Sequence, residues 1–140
     1  YYTKIRRYFR KKEKFCKIKL PVIFTNYLTE NELITAYQAA DVFVSTSIED
    51  SGPTMIKQSI MCGTPVVSFK MGVAFDLVIT TKTGYLAELK NANDLALGII
   101  NILSLNSEKY QRISENCRNI ALSVFSEKSQ LSKFLNAFRL

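Results

Sequence analysis

Apolar residues recur along this chain in two rhythms. Short continuous runs alternate with stretches that repeat every three to four positions. The short runs, Val22-Ile23-Phe24-Thr25, Val42-Phe43-Val44, Pro65 through Phe69 and Gly84-Tyr85-Leu86-Ala87, read as strands. The periodic stretches predict helices over about 3–16, 30–39, 53–62, 74–79, 93–105, 107–123 and 127–139. In the first of these, Ile5, Phe9 and Phe15 pack inward while the lysines and arginines face out.

Local signals fix several ends. Thr29 followed by Glu32 is a capping-box pattern, and Leu33, Ile34, Tyr37 and Ala40 supply the apolar face of the helix it opens. Pro53 suits a first helical turn, where its missing N–H has no helical partner. Gly63 sits where a helix prefers to stop, and Asn91 or Asn93 can cap the helix near 93–105. Nearly continuous apolar strands alternating with helices indicate a parallel sheet covered on both faces, the doubly wound α/β class with helices at its carboxyl end. Such folds usually begin with a strand. This chain begins with a helix, so one or two leading strands are expected to be missing. A length of 140 residues suits one domain.

Composition excludes several chemistries. Histidine is absent, which removes histidine metal ligands, the Ser-His-Asp triad and the Cys-His pair. Cys16, Cys62 and Cys117 lie far apart, without zinc-type spacing, and are expected to be buried free thiols in a reducing cytoplasm. No apolar run approaches the ~18 residues of a membrane span. The net charge of +7 is concentrated: nine basic residues and one acid occupy positions 1–20, and the rest is near neutral. The Lys4–Lys19 arm is a candidate for contact with an anionic membrane surface, or simply a solvated helix face. No nucleic-acid recognition motif accompanies it.

In an open α/β sheet, ligands bind beyond the carboxyl ends of the strands. That selects the loops at Asn26 through Thr29, Ser45 through Thr54 and Lys70 through Asp76. The middle loop, Glu49-Asp50-Ser51-Gly52-Pro53-Thr54, enters a helix, where free N–H groups and the helix dipole favour a phosphate. Gly52 lets a ligand approach the backbone. Asp50 and Gln58, eight positions apart, can face one ligand and hold sugar hydroxyls. The bland alternative is a plain helix cap by Ser51 or Asp50, with Gln58 on a wet face.

The run Ala39-Ala40-Asp41-Val42-Phe43-Val44, the Glu49-to-Pro53 loop and Ile60-Met61-Cys62-Gly63-Thr64-Pro65-Val66-Val67 together resemble the carboxyl-terminal domain of family 4 retaining GT-B glycosyltransferases of capsule and lipopolysaccharide synthesis. The resemblance extends over residues 1–140. It implies a Rossmann-like half of a GT-B fold and hexosyl transfer from a UDP- or GDP-sugar to a glycan or lipid-linked acceptor. It also implies retention at the anomeric carbon, no metal and no other cofactor. The family's two glutamates fall on Asp50, at the donor sugar, and Gln58, at the ribose. Glu49 is a substitute for Asp50 in a shifted register. Gly52, Pro53, Thr54 and Met55 fall beside the sugar or phosphates, and Tyr27 and Leu28 beside the base. Phe75 stands where relatives often have proline.

The same resemblance implies that an amino-terminal acceptor domain, and a basic arginine–lysine pair near the start of this domain, are absent from these 140 residues. On that reading the chain alone is inactive and belongs to a cytoplasmic enzyme, peripheral at the inner membrane face. A noncatalytic nucleotide-binding or partner module is the alternative, because Asp50 and Gln58 depart from the glutamate pair. A membrane-surface adaptor acting through the basic arm is a third reading.

Overall fold

The computed structural model describes residues 23, 25, 27–50, 52, 54–72 and 74–138. The expected helix over 3–16, the basic arm and Cys16 lie outside the described residues. Among the described residues three strands, β1 (Phe43–Ser45), β2 (Val66–Phe69) and β3 (Gly84–Ala87), form one sheet in that order. Both pairings are parallel, with Phe43 beside Val66 and Val66 beside Gly84. The α/β class with a parallel sheet and carboxyl-terminal helices is therefore observed. The strand expected over 22–25 is not seen among the described residues. Ile23 and Thr25 belong to no regular element, Ile23 is 88 % exposed, and Val22 and Phe24 lie outside the described residues.

Among the described residues there are six helices: α1 (Glu30–Ala39), α2 (Thr54–Met61), α3 (Ala74–Leu77), α4 (Ala92–Leu103), α5 (Ser107–Phe125) and α6 (Glu127–Ala137). α1 opens on the complete capping box, in which the Thr29 hydroxyl accepts from the Glu32 N–H and the Glu32 carboxylate accepts from the Thr29 N–H. Its apolar face is narrower than expected. Tyr37 is buried and packs edge-on to Phe43 at 5.5 Å, but Ile34 stays 40 % exposed. Asn91, not Asn93, caps α4 through the Asp94 N–H.

α2 ends in a Schellman motif. The Thr64 N–H reaches the Ser59 carbonyl and the Gly63 N–H the Ile60 carbonyl, each at 3.0 Å. Gly63 takes the required left-handed conformation, φ 84°. The Thr64 hydroxyl then donates to the Tyr37 carbonyl at 2.6 Å, tying the end of α2 to α1.

α3 is shorter than the pattern over 74–79 predicted, and Thr83 supplies the reason. Its buried hydroxyl accepts from the Ile79 N–H at 2.8 Å and donates to the Leu77 carbonyl at 2.7 Å, replacing the helical bonds that would continue the turn.

β2 is buried along its whole length. A Cβ at Gly98 would overlap the Tyr85 ring and press on Val67, so α4 lies tight on that face of the sheet. α2 packs on β1 and β2 and against α5. The core runs from Ile56 and Ile60 of α2 through Val66 and Val67 to Ile113, Cys117 and Ala121 of α5. Burial pushes the Cys117 thiol up to about 12, so it is inert packing. Cys62 is only half-buried, not fully as expected. Among the described residues no helix is long and apolar enough to cross a membrane.

Candidate functional site

Because the strands are parallel and in register, Ser45, Phe69 and Ala87 end on one rim of the sheet. The loops leaving that rim lie side by side. Gly72 adopts φ 45°, and a Cβ there would overlap the main-chain carbonyl of Asp50. Two of the three loops expected at the site are therefore in backbone contact.

The Asp50 side chain turns back on its own loop. Its Oδ1 accepts from the Gly52 N–H at 2.9 Å, which fixes the carboxylate in an Asx turn. One oxygen thus serves the turn, and among the described residues no hydrogen bond engages the other. The Gly52 N–H, expected to face a phosphate, is committed to Asp50 instead. The first turn of α2, starting at Thr54, is the helix start that follows this turn.

The space above this turn is open. A Cβ at Gly52 would meet nothing within 4 Å, and Gly52 itself is exposed. On α2, Ile56, Ser59 and Ile60 face the core while Thr54 and Met55 are exposed and Gln58 is half-buried. Gln58 stands one helical turn beyond Thr54, so the two share the outer face. Among the described residues no hydrogen bond engages the Gln58 carboxamide. Asp50 is half-buried and Glu49 exposed. Tyr27 is 80 % exposed and Leu28 half-buried, and among the described residues no hydrogen bond links either to the Asp50 loop. Pro53 lies outside the described residues.

A second polar cluster on the same rim escaped the sequence reading. Lys70 follows β2, Glu88 follows β3, and the two form an ion pair. The Tyr85 hydroxyl donates to Asp94 Oδ1 at 2.7 Å and the Glu88 N–H to Oδ2 at 2.6 Å. The Glu88 N–H first, and the Tyr85 hydroxyl second, hold the Asp94 carboxyl below the usual carboxylate range. The available signal was positional: a charged residue directly after each of two buried strands. Among the described residues no group of three or more Cys, Asp or Glu converges as a metal site.

The comparisons with known proteins agree with this layout. Residues 6–120 match the family Glycosyl transferases group 1. The fold is similar to sucrose-phosphate synthase from Thermosynechococcus elongatus, at 24 % identity and TM-score 0.82, over 98 % of this chain and 34 % of that one. It is also similar to a glycosyltransferase from Rickettsia africae, at 25 % identity and TM-score 0.77, over 96 % and 36 %. Anabaena HepE, solved in complex with UDP-glucose, aligns at 24 % identity and TM-score 0.74, over 94 % and 36 %. The chain thus spans about a third of the length of these solved proteins. No curated protein matches it. The match over residues 6–120 covers most of the sequence, and with the parallel sheet and its rim of loops it establishes that the chain belongs to the glycosyl transferases group 1 family.

Proposed function

We propose that this chain forms the donor-binding part of a retaining, family 4-type glycosyltransferase that uses a UDP- or GDP-hexose in capsule or lipopolysaccharide synthesis. The observation that carries the reading is the open turn at Gly52, flanked by a fixed Asp50 carboxylate and by Gln58 on the outer face of α2. Proteins of the same fold are bound to UDP-glucose or UDP in their own structures, which supports a nucleotide-sugar here.

On this reading the diphosphate lies over the first turn of α2, beside Pro53, Thr54 and Met55. Main-chain N–H groups and the positive end of the helix dipole meet its charge there. The free oxygen of Asp50 accepts from a hydroxyl of the donor sugar, with Glu49 as a second carboxylate on the loop. Gln58 bonds the ribose, and Tyr27 and Leu28 border the base. No metal is assigned a role. The acceptor is bound by a further domain in a longer polypeptide, and this chain by itself does not turn over. A cytoplasmic site of action, with the Lys4–Lys19 arm on an anionic inner membrane face, completes the proposal.

A noncatalytic binding module is the second reading. It is favoured by the Asx turn, in which Asp50 already spends one oxygen on Gly52. Calorimetric titration of UDP and GDP against the chain tests the site and the base together. Saturable binding of one nucleotide supports the proposal, and no heat with either contradicts it. Turnover by the longer enzyme then separates the two readings.

A further inference from the structure

The outer side of β3 is the edge of the sheet among the described residues, and two cavities lie along it. One, of about 720 Å³, is bordered by Lys70, Glu88, Asn93, Asp94 and Leu97. The other, of about 520 Å³, is bordered by Asn101, Leu105, Lys109, Arg112, Ile113 and Asn116. Thr80 and Tyr85 line both, so the two adjoin as a groove along β3, one part toward the loop rim and the other toward the opposite end of the sheet. Each volume lies in the ~300–1,000 Å³ range of ligand sites.

The groove's chemistry selects among ligands. A sheet edge usually recruits a peptide through its unpaired main-chain groups. Here the chain has sealed that edge itself: the Thr81 N–H donates to the Gly84 carbonyl and the Leu86 N–H to the Thr80 hydroxyl. An anion would want unpaired cations. Lys70 is paired with Glu88 and Arg112 with Glu108, while Asp94 is held by Tyr85 and Glu88.

Apart from Lys109, which no ion pair engages among the described residues, what remains available is uncharged. Among the described residues no hydrogen bond engages the carboxamides of Asn93, Asn101 or Asn116. These groups both donate and accept, and they share the lining with apolar side chains at Leu97, Leu105 and Ile113. A sugar ring presents the complement, a rim of hydroxyls and an apolar C–H face.

We propose that the groove along the outer edge of β3 binds a neutral oligosaccharide, at a site distinct from the Asp50 loop. This does not rest on the reading of that loop as a donor site. The test is amide-resonance mapping of the 140-residue chain with cello-, malto- and chito-oligosaccharides, and with a heparin oligosaccharide as the anionic arm. The expected result is saturable shifts with at least one neutral oligosaccharide, confined to Thr80–Leu86, Asn91–Leu97 and Asn101–Asn116. Asn101→Ala, at an exposed position, should weaken that binding roughly fivefold, the scale of one lost hydrogen bond. Adding Asn116→Ala should weaken it further, with UDP titration of both variants unchanged. Three outcomes overturn the proposal: no shifts with any neutral oligosaccharide, shifts with heparin alone, or neutral binding that maps elsewhere or ignores both substitutions.

Discussion

The carbonyl of Asp50 lies against the α-carbon of Gly72, and the side chain that any other residue would bring to position 72 has no room there. The two residues leave neighbouring strands, so this contact sets the height of the Asp50 loop above the sheet. Gly72 also carries φ 45°, which an L side chain rarely adopts. Gly72→Ala should therefore cost about 1–3 kcal/mol in urea denaturation. It should also weaken UDP binding, because the loop must move to admit the methyl group. Unchanged values of both would show that the contact positions nothing.

Gly52 is the opposite case. Nothing stands within 4 Å of a Cβ placed there. Gly52→Leu is expected to leave stability within about 0.5 kcal/mol, as at other exposed positions. A side chain projecting into that space should cut UDP affinity by about tenfold or more. A large loss of stability with binding intact would instead assign Gly52 to the fold alone.

Asp50 serves the turn and, on the proposed reading, the sugar, and two substitutions separate these tasks. Asp50→Asn keeps an oxygen for the Gly52 N–H, while Asp50→Ala removes it. Both should lower use of a nucleotide-sugar by the longer enzyme. Only Asp50→Ala should also cost stability, about 1 kcal/mol, through the lost turn bond. Gln58→Ala should weaken nucleotide binding and leave the fold intact. Full activity in all three variants would remove these residues from the site.

Part of this was legible beforehand. α1 and β3 appear with the expected bounds, because Thr29 and Glu32 are local signals and the run at 84–87 is flanked by turn residues. Gly63 ended α2 as a glycine in a left-handed turn should. The contacts that build the rim were not legible. Asp50 meets Gly72, and Lys70 meets Glu88, across loops that only the sheet brings together. The Asx turn shows the same limit at short range. The sequence placed Asp50 beside the helix start, but the acceptor for the Gly52 N–H depends on a side-chain rotamer that spacing does not encode.

Thr83 gives a prediction about stability alone. Its buried hydroxyl satisfies the Ile79 N–H and the Leu77 carbonyl together. Thr83→Val keeps the shape and leaves both groups without that partner. A loss of about 1–3 kcal/mol is expected in chemical denaturation. A neutral result would mean that water replaces the hydroxyl.

Asp94 gives the chain an acid-sensitive contact. Its carboxyl is held below the ordinary value of 3.8 by the Glu88 N–H and the Tyr85 hydroxyl. A carboxyl lowered in the folded state stabilises fully above the unfolded value and loses that contribution as pH falls through the folded one. The melting temperature of Asp94→Asn should therefore fall less steeply than that of the parent as pH drops below about 3.8. Parallel curves would show that the carboxylate is not coupled to folding.

The most direct test of the central claim is amide-resonance mapping of the chain during titration with UDP. The account predicts saturable shifts at Gly52, Thr54, Met55 and Gln58, with a smaller response at Gly72 through its contact with Asp50. Saturable shifts that leave these residues untouched, or no shifts at millimolar UDP and none at millimolar GDP, would contradict it.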